Sequence, residues 1–229
     1  MLEQIKAAIF DLDGTLVDSM GLWRDIDIEF LQARGIAYHD SLQELIEGMS
    51  FTETAVFCKE YYNLHESVEE LKAIWNRMAQ HKYRYEVQLK PGALEFLEDL
   101  KSRGIKMGIA TSNSPELIQA VNGAYHFDRY MSCIVTACSV NKGKPAPDVY
   151  LEAARQLDVK PEDCLVFEDI VKGLEAGKNA GMKVCAIEDL YSASQRTKKR
   201  EICDYYIESY DDIKNGCYYQ ATAAKKKRA

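Results

Sequence analysis

Short, continuous runs of apolar residues recur along the chain at the spacing of alternating strands and helices. Five runs have the length of a β-strand and end in a polar or turn residue: 7–10, 105–110, 133–137, 164–167 and 183–187. Because their apolarity is continuous rather than alternating, we expect both faces of each strand to be covered, as in a parallel sheet. Helix-like stretches separate the later runs, at 91–104, 115–125, 148–157 and 171–180. This pattern predicts an α/β fold with a doubly wound, Rossmann-like parallel sheet.

The interval from about residue 16 to residue 87 breaks this alternation. It contains no convincing second strand, and its apolar residues recur at helical spacing instead. The residues with this spacing are Leu22, Ile26, Phe30, Leu42, Leu45, Val56, Leu71, Ile74, Trp75 and Met78. We therefore predict a helical cap, residues 17–87, inserted into a core formed by 1–16 and 88–215, with 216–229 as a tail. The two joints are expected near Val17–Asp18 and near 86–91.

Composition narrows the classes of function. Lysine and arginine number 29 against 36 acidic residues, which gives a net charge of −7. This balance argues against a nucleic-acid binder, which needs clustered basic residues, and the basic segment 225–228 is expected to be a solvated tail. We see neither a membrane-spanning run nor a secretory signal, and the seven cysteines form no Cys-x-x-Cys pair. A cytoplasmic protein with reduced thiols is expected, and a monomer is the default.

Polar residues follow the predicted strands at the point where each strand ends. In a parallel doubly wound sheet, ligands bind beyond the carboxyl ends of the strands, so we expect these residues to meet along one edge. They are Asp11 and Asp13, then Thr111, Ser112 and Asn113, then Lys144 in the loop beyond the third strand, and finally Glu168 and Asp169. Folding alone does not account for them, because a core has no need of charge at that edge.

The charges of this set predict a bound cation. Four carboxylates and one ammonium group leave a charge of about −3, and like charges this close demand a counter-ion. Because the ligands are all oxygens, they favour Mg²⁺. Lys144 and the hydroxyl groups then suit a phosphate. Asp11 could be a nucleophile that forms an aspartyl-phosphate, and Asp13 a general acid and base.

The ordered motifs resemble those of the haloacid dehalogenase superfamily. They are Asp11-Leu12-Asp13-Gly14-Thr15, Thr111-Ser112-Asn113, Lys144-Pro145 and Glu168-Asp169, and the resemblance covers about residues 5–210. Within the superfamily, the layout is similar to small phosphatases and to β-phosphoglucomutase, whose helical caps close over their substrates. A lone Asp-x-Asp would be a weak signal, whereas four motifs in order are a specific one.

The resemblance implies roles for these residues. Asp11 would be the nucleophile and a Mg²⁺ ligand, and Asp13 the acid and base, with its backbone carbonyl on the metal. Thr111 and Lys144 would hold the phosphoryl group, and Ser112 and Asn113 would add phosphate contacts. Asp169 would complete the metal site, with Glu168 beside it. The implied substrate is a small phosphorylated metabolite, such as a sugar phosphate.

The choice between hydrolysis and a phosphomutase reaction depends on the cap. The resemblance implies that β-phosphoglucomutases carry an arginine in the segment matching residues 48–51 and a histidine near position 23. This chain has Phe51 and Trp23 there. Since phenylalanine cannot clamp a second phosphate, hydrolysis is favoured and a phosphomutase is the alternative. Trp23, Phe51 and Trp75 are interpreted as cap core, and Lys172, which departs from the family pattern, is expected to face solvent.

Overall fold

The computed structural model describes residues 1–221, and a mostly parallel sheet with flanking helices forms its centre. The strands are β1 Ala7–Phe10, β2 Val17–Asp18, β3 Gln88–Leu89, β4 Lys106–Thr111, β5 Cys133–Thr136, β6 Cys164–Glu168, β7 Lys183–Ile187, β8 Tyr205–Ile207 and β9 Tyr219–Gln220. Seven of them form one sheet in the order β5-β4-β1-β6-β7-β8-β9. All neighbours in this sheet are parallel except β8 and β9. The predicted fold class is confirmed.

The helices lie on both faces of this sheet and over the carboxyl ends of its strands. They are α1 Met20–Gln32, α2 Ser41–Ile46, α3 Phe51–Tyr61, α4 Val68–Tyr85, α5 Ala93–Ser102, α6 Pro115–Tyr125, α7 Asp148–Leu157, α8 Val171–Asn179, α9 Arg196–Ile202 and α10 Asp211–Asn215. Apolar residues of α5 and α6 pack on one face, and those of α7 and α8 on the other. The continuous apolar strands follow from this double cover, because every residue of β1 and β6 is buried.

Two apolar residues with helical spacing lie in helices but not on their buried faces. Leu45 in α2 and Val56 in α3 are about 40% exposed (41% and 40%). In α3, the buried positions are Phe51, Ala55 and Cys58 instead. The spacing of apolar residues locates a helix, but it does not say which of two apolar stripes faces the core when the helix is short.

A short ribbon connects the segment of α1–α4 to the sheet. β2 and β3 pair antiparallel, with Val17 opposite Leu89 and Asp18 opposite Gln88. The ribbon therefore lies at the two predicted joints, although the division of the chain into core and cap stays a prediction. Helices α3 and α4 each begin with a serine and glutamate capping box, which satisfies their first backbone amides.

The C-terminal end bears on one expectation. The basic segment 225–228 lies outside the described residues, so the expectation of a solvated tail stays untested. Tyr205 and Tyr219 belong to the strands β8 and β9 at one edge of the sheet.

Across residues 1–221, no helix combines the length and the apolar character that a membrane span requires.

Candidate active site

Asp11 and Lys144 form a buried ion pair at the carboxyl edge of the sheet. Asp11 directly follows β1, and its backbone amide donates to the Phe167 carbonyl of the neighbouring strand (3.0 Å). The Lys144 ammonium donates to Asp11 Oδ1 (2.6 Å) and to Glu168 Oε1 (2.5 Å), and all three side chains are buried. Burial lowers the pKa of Lys144, but its two carboxylate partners outweigh burial and raise it overall. Lys144 therefore stays charged beside Asp11.

Glu168 and Asp169 complete the acidic edge where β6 ends. Glu168 accepts a hydrogen bond from the Tyr150 hydroxyl (2.5 Å), and Asp169 Oδ1 accepts one from the Thr15 hydroxyl (3.1 Å). Gly14 makes room for this arrangement, because it has φ +77° and a Cβ there would lie 2.4 Å from Asp169 Oδ2. The chain thus approaches Asp169 more closely than any other residue type would allow.

The acidic residues fit a divalent cation. Asp11, Glu168 and Asp169 each offer one carboxylate oxygen, and these oxygens lie within 4.8 Å of one another. Burial, followed by the charges of neighbouring carboxylates, raises the pKa of Asp169 well above its usual range. Burial likewise raises the pKa of Asp11, to about 8. A cation among these oxygens would favour the charged forms, and an all-oxygen donor set suits Mg²⁺.

The Asp13 side chain is directed away from that cluster and towards the cap. Its Oδ1 accepts from the Ser19 hydroxyl (2.6 Å) and from the Tyr83 hydroxyl, and its Oδ2 accepts from Asn113 Nδ2 (2.9 Å). Tyr83 also accepts a bond from the indole N–H of Trp23 (2.6 Å). Burial, and then the charge of Asp13, raise the pKa of Tyr83 well above its usual value, so Tyr83 keeps its proton and donates.

The residues at the end of β4 and just beyond it differ in how free they are to bind a phosphate. Thr111 and Ser112 line the cavity beside Asp11, and the Thr111 hydroxyl accepts from the Asn113 amide N–H (3.1 Å). The Asn113 side chain is engaged with Asp13 and with Tyr83 (2.9 Å from Nδ2 to the hydroxyl). A phosphate contact by the Asn113 side chain would require these bonds to be exchanged.

A cavity of about 730 Å³ leads from this edge into the cap. Trp23, Phe51 and Trp75 line it and also contact one another edge to face, so they are cap core and cavity wall at once. The Lys172 ammonium donates to the Glu47 carbonyl of the cap (2.7 Å). The expectation that Lys172 faces solvent is therefore wrong, because a carbonyl at the end of α2 lies within its reach.

Sequence reasoning missed three residues of this region. Tyr150 and Tyr83 lie on helical faces that read as ordinary buried aromatics, and only their hydroxyl groups could have indicated a polar partner. Asp27 stands among the apolar residues of α1 and is 9% exposed, with the Gln43 amide donating to its Oδ2 (2.6 Å). A carboxylate on the apolar face of a predicted helix is the signal that could have found it.

The parallel sheet brings an acidic edge and a buried lysine together beneath a helical segment, an arrangement suited to an enzyme with an α/β core. The chain belongs to the haloacid dehalogenase-like hydrolases, a family that matches residues 5–181. The family expected from the motifs is therefore confirmed, and the chain is an enzyme.

The names of individual relatives include a kinase, a phosphatase and a phosphomutase. The chain is 34% identical over 211 residues to the bifunctional riboflavin kinase/FMN phosphatase of Arabidopsis thaliana, covering 91% of this chain. It spans about half (54%) of that protein's length. It is 33% identical over 196 residues to the β-phosphoglucomutase of Bacillus subtilis, covering 78% of this chain and 81% of the relative.

A solved structure shares the fold. CbbY from Rhodobacter sphaeroides, crystallised with phosphate, has a TM-score of 0.79 and 24% identity to this chain. The similarity covers 91% of this chain and 96% of CbbY. At this identity the comparison speaks for the fold alone, and it agrees with the doubly wound sheet described above.

Proposed function

We propose that the protein is a Mg²⁺-dependent phosphatase that hydrolyses a small phosphomonoester through an aspartyl-phosphate on Asp11. Membership of the hydrolase family, together with the phosphatase named in a relative, supports a phosphoric monoester hydrolase. The observation that carries the proposal is the buried contact of Asp11 with Lys144. An Asp11 carboxylate oxygen also lies within 4.8 Å of an oxygen of Glu168 and an oxygen of Asp169. A carboxylate nucleophile needs such a neighbour, because the ammonium group can hold the incoming phosphoryl oxygens.

Each side chain would have one task in the reaction. An Asp11 oxygen attacks phosphorus while the bond between phosphorus and the leaving oxygen breaks, and Asp13 gives its proton to that oxygen. Asp13 then takes a proton from water, which attacks the phosphoryl group on Asp11 and releases inorganic phosphate. Lys144 and Thr111 hold the phosphoryl oxygens, and Ser112 and Asn113 lie beside them.

The metal would be held at the acidic edge. Asp11, Asp169 and the backbone carbonyl of Asp13 would be its ligands, with Glu168 beside them. When bound, Mg²⁺ would supply positive charge that offsets the carboxylates and the phosphoryl group. Both oxygens of Glu168 have partners, since Oε2 also accepts from the Asp169 amide (3.1 Å). We therefore propose that Glu168 acts on the metal site mainly by holding Lys144 and Asp169.

A phosphomutase is the alternative, and a mutase relative gives it weight. A mutase must bind a phosphate at each end of a bisphosphate intermediate, so its cap needs a second cation for the far phosphate. Arg24 is the arginine that lines the cap side of the cavity in the described chain, and it is paired with Asp40 (3.2 Å). Neither residue 23 nor residue 51 supplies a cation. Hydrolysis is therefore the function that we propose.

Phosphate release distinguishes these functions. We expect Mg²⁺-dependent release from one or more members of a panel of metabolite phosphates that includes β-glucose 1-phosphate, and loss of release in Asp13→Asn. Conversion of β-glucose 1-phosphate to glucose 6-phosphate in the presence of a bisphosphate primer, without release, would establish the mutase instead. Release that is unchanged in Asp13→Asn would contradict the mechanism.

Compartment and assembly are part of the same proposal. All seven cysteines are free thiols, and five of them are buried, which suits a reducing compartment such as the cytoplasm. We propose that the enzyme acts there as a monomer, with small phosphorylated metabolites as its partners. Size-exclusion chromatography with light scattering would test the assembly state, and a mass near twice 26.0 kDa would contradict it.

A further inference from the structure

The cavity has a catalytic end and a cap end, and the two ends differ in charge. At the catalytic end, Lys144 lies between Asp11 and Glu168, beside the proposed site of a divalent cation. At the cap end, the charged residues that line the cavity are Arg24, Asp27, Asp40, Glu44 and Glu47. Acidic residues thus outnumber basic ones where the part of a substrate beyond its phosphate would lie.

The pairing of these residues sharpens the difference. Arg24 is paired with Asp40, and the Glu47 segment has Lys172 beside it. Asp27 has no such cation among the described residues, because its partner is the neutral amide of Gln43. The other oxygen of Asp27 has no hydrogen-bond partner in the described chain. Burial, opposed in part by the Gln43 bond, raises the pKa of Asp27 to about 7.

The walls between the two ends are apolar and aromatic. Trp23 and Phe51 have ring centroids 6.1 Å apart, and Phe51 and Trp75 are 5.8 Å apart, with edge-to-face geometry in both pairs. Met20 and Met49 also line the cavity. Such a surface favours a ring with an apolar face over a flexible chain of hydroxyl groups, because it offers contact area. The Tyr38 hydroxyl and the Trp75 indole N–H, which belong to the same lining, have no hydrogen-bond partner among the described residues and are available to a polar group of such a ring.

We propose that the phosphate ester cleaved here has an uncharged ring as its leaving group, with an N–H or O–H that donates to Asp27. This inference rests on the proposed phosphatase function and names its substrate class. A leaving group that carries a second phosphate or a carboxylate is rejected, because it would meet Asp27 with no free cation beside it. An N–H or O–H donor satisfies the free oxygen of Asp27 that the protein leaves without a partner.

A matched pair of substrates tests the class directly. Uridine 5′-monophosphate and uridine 3′,5′-bisphosphate share one uncharged ring and differ by one anionic group, and phosphoglycolate adds an anion without a ring. At pH 8, where Asp27 is mostly ionised, we expect kcat/KM for the monophosphate to exceed that for either of the others by about tenfold or more, which is the range for one unfavourable buried charge contact. Equal or better hydrolysis of an anionic leaving group would overturn the inference.

Two aspartates on the same helix provide the variant and its control. In Asp27→Asn, the preference for the monophosphate over the bisphosphate should fall about tenfold, because the repelling charge is gone. In Asp25→Asn, which changes an exposed residue of α1 that does not line the cavity, the preference should be unchanged. An unchanged preference in Asp27→Asn would show that Asp27 is structural and would overturn its role. Melting curves of both variants confirm that the comparison is made on folded protein.

The failure of this inference can be told from the failure of the proposed function. p-Nitrophenyl phosphate serves as an ester that needs no cap recognition. If it and all other esters release no phosphate, the phosphatase proposal fails and the inference fails with it. If phosphate is released but esters with anionic leaving groups are preferred, the phosphatase stands and only the substrate class is overturned.

Discussion

The catalytic edge of the core and the cap side of the cavity are built in different ways. At the edge, Asp11 directly follows β1, and Thr111 and Glu168 are the last residues of β4 and β6, so hydrogen bonds of the sheet fix their backbones, as the amide of Asp11 shows by donating to Phe167. Lys144 reaches the same edge from the loop beyond β5. On the cap side, Trp23, Asp27 and Phe51 lie on helices that are bonded to the core one contact at a time rather than by a strand ladder, for example through the Phe51 amide and the Ser112 carbonyl (3.0 Å). The sheet thus fixes the backbone of the core's reactive residues, whereas the cap provides the wall that we propose selects the substrate.

Removal of the proposed nucleophile should have the largest effect on the chemistry of the core. Asp11→Asn should lower kcat by about 10⁴-fold or more, because the amide cannot form the phosphoryl ester. Folding should persist, since the variant also relieves like-charge repulsion with Glu168 and Asp169. Steady-state kinetics and a melting curve measure the two effects. Activity near that of the wild type would exclude the covalent route.

A smaller change next to Glu168 tests how strongly activity depends on the position of that side chain. In Gly173→Ala, the new Cβ would lie 2.0 Å from the Glu168 carboxyl group, so Glu168 must move and Lys144 with it. We expect kcat to fall about 100-fold and the free energy of unfolding to fall by about 1–3 kcal/mol.

Gly177→Ala is the matched control for that variant. It lies one turn further along α8, where a Cβ would meet Val184 at 2.6 Å and no site residue. It should lose stability to a similar degree while kcat stays within a few-fold of the wild type. Equal kcat losses in the two variants would mean that the edge is not sensitive to the position of Glu168.

Tyr83 joins the two regions, because it is a cap residue bound to the proposed acid and base of the core. Tyr83→Phe removes one of the donors to Asp13 but leaves Ser19 and Asn113 in place. We expect kcat to fall about tenfold while KM changes little, since Tyr83 does not line the cavity.

Tyr125→Phe is the control for that variant. It removes a hydroxyl that donates to the Val87 carbonyl near the ribbon (2.6 Å), away from Asp13. Its kcat should be unchanged. A rise in KM in Tyr83→Phe with constant kcat would contradict a positioning role and point to a merely structural one.

The cap side contains a buried carboxylate that weakens the fold as pH rises. The pKa of Asp27 is about 7 in the folded protein, against 3.8 for an ordinary aspartate. The folded state therefore keeps this proton up to a higher pH than the unfolded state does. The destabilisation caused by the buried charge is absent below about pH 4 and fully present above about pH 7. Asp27→Asn should be more stable than the wild type by about 4 kcal/mol at pH 8 and nearly equal to it near pH 4.

Denaturant unfolding across this pH range measures the effect. Asp25→Asn should show no such trend, because that carboxylate is exposed. A gain for Asp27→Asn that is constant from pH 4 to pH 8, or a loss at pH 8, would show that the Asp27 charge is not the cause.

Metal binding to the core should change the stability of the protein less than the variants described above. At a concentration tenfold above its Kd, Mg²⁺ adds about 1.4 kcal/mol to the folded state, which is about 4 °C in Tm for a chain of this size. Asp169→Asn should lose most of this gain. Differential scanning fluorimetry at matched ionic strength measures it, and a Tm that is indifferent to Mg²⁺ would contradict the metal site.

The same contrast explains what could be predicted from the sequence. Asp11, Lys144 and Glu168 could be placed together because each follows a strand or lies in the next loop, and parallel strands end at one edge. Tyr150 and Tyr83 could not be placed, because helical spacing predicts burial without naming a polar partner. Lys172 illustrates the same limit, since its bond to the Glu47 carbonyl depends on where the cap rests. The sequence predicts the positions of residues that the sheet fixes, but it does not predict the contacts between core and cap.

Transfer of a phosphoryl group to Asp11 can be tested without knowing the substrate. Beryllium fluoride imitates a phosphoryl group on a carboxylate, and ¹⁹F NMR distinguishes its bound form from its free form. We predict a bound resonance in the wild-type protein that requires Mg²⁺ and that disappears in Asp11→Asn but persists in Asp25→Asn. A resonance that survives in Asp11→Asn, or its absence from the wild type with Mg²⁺, would contradict the account.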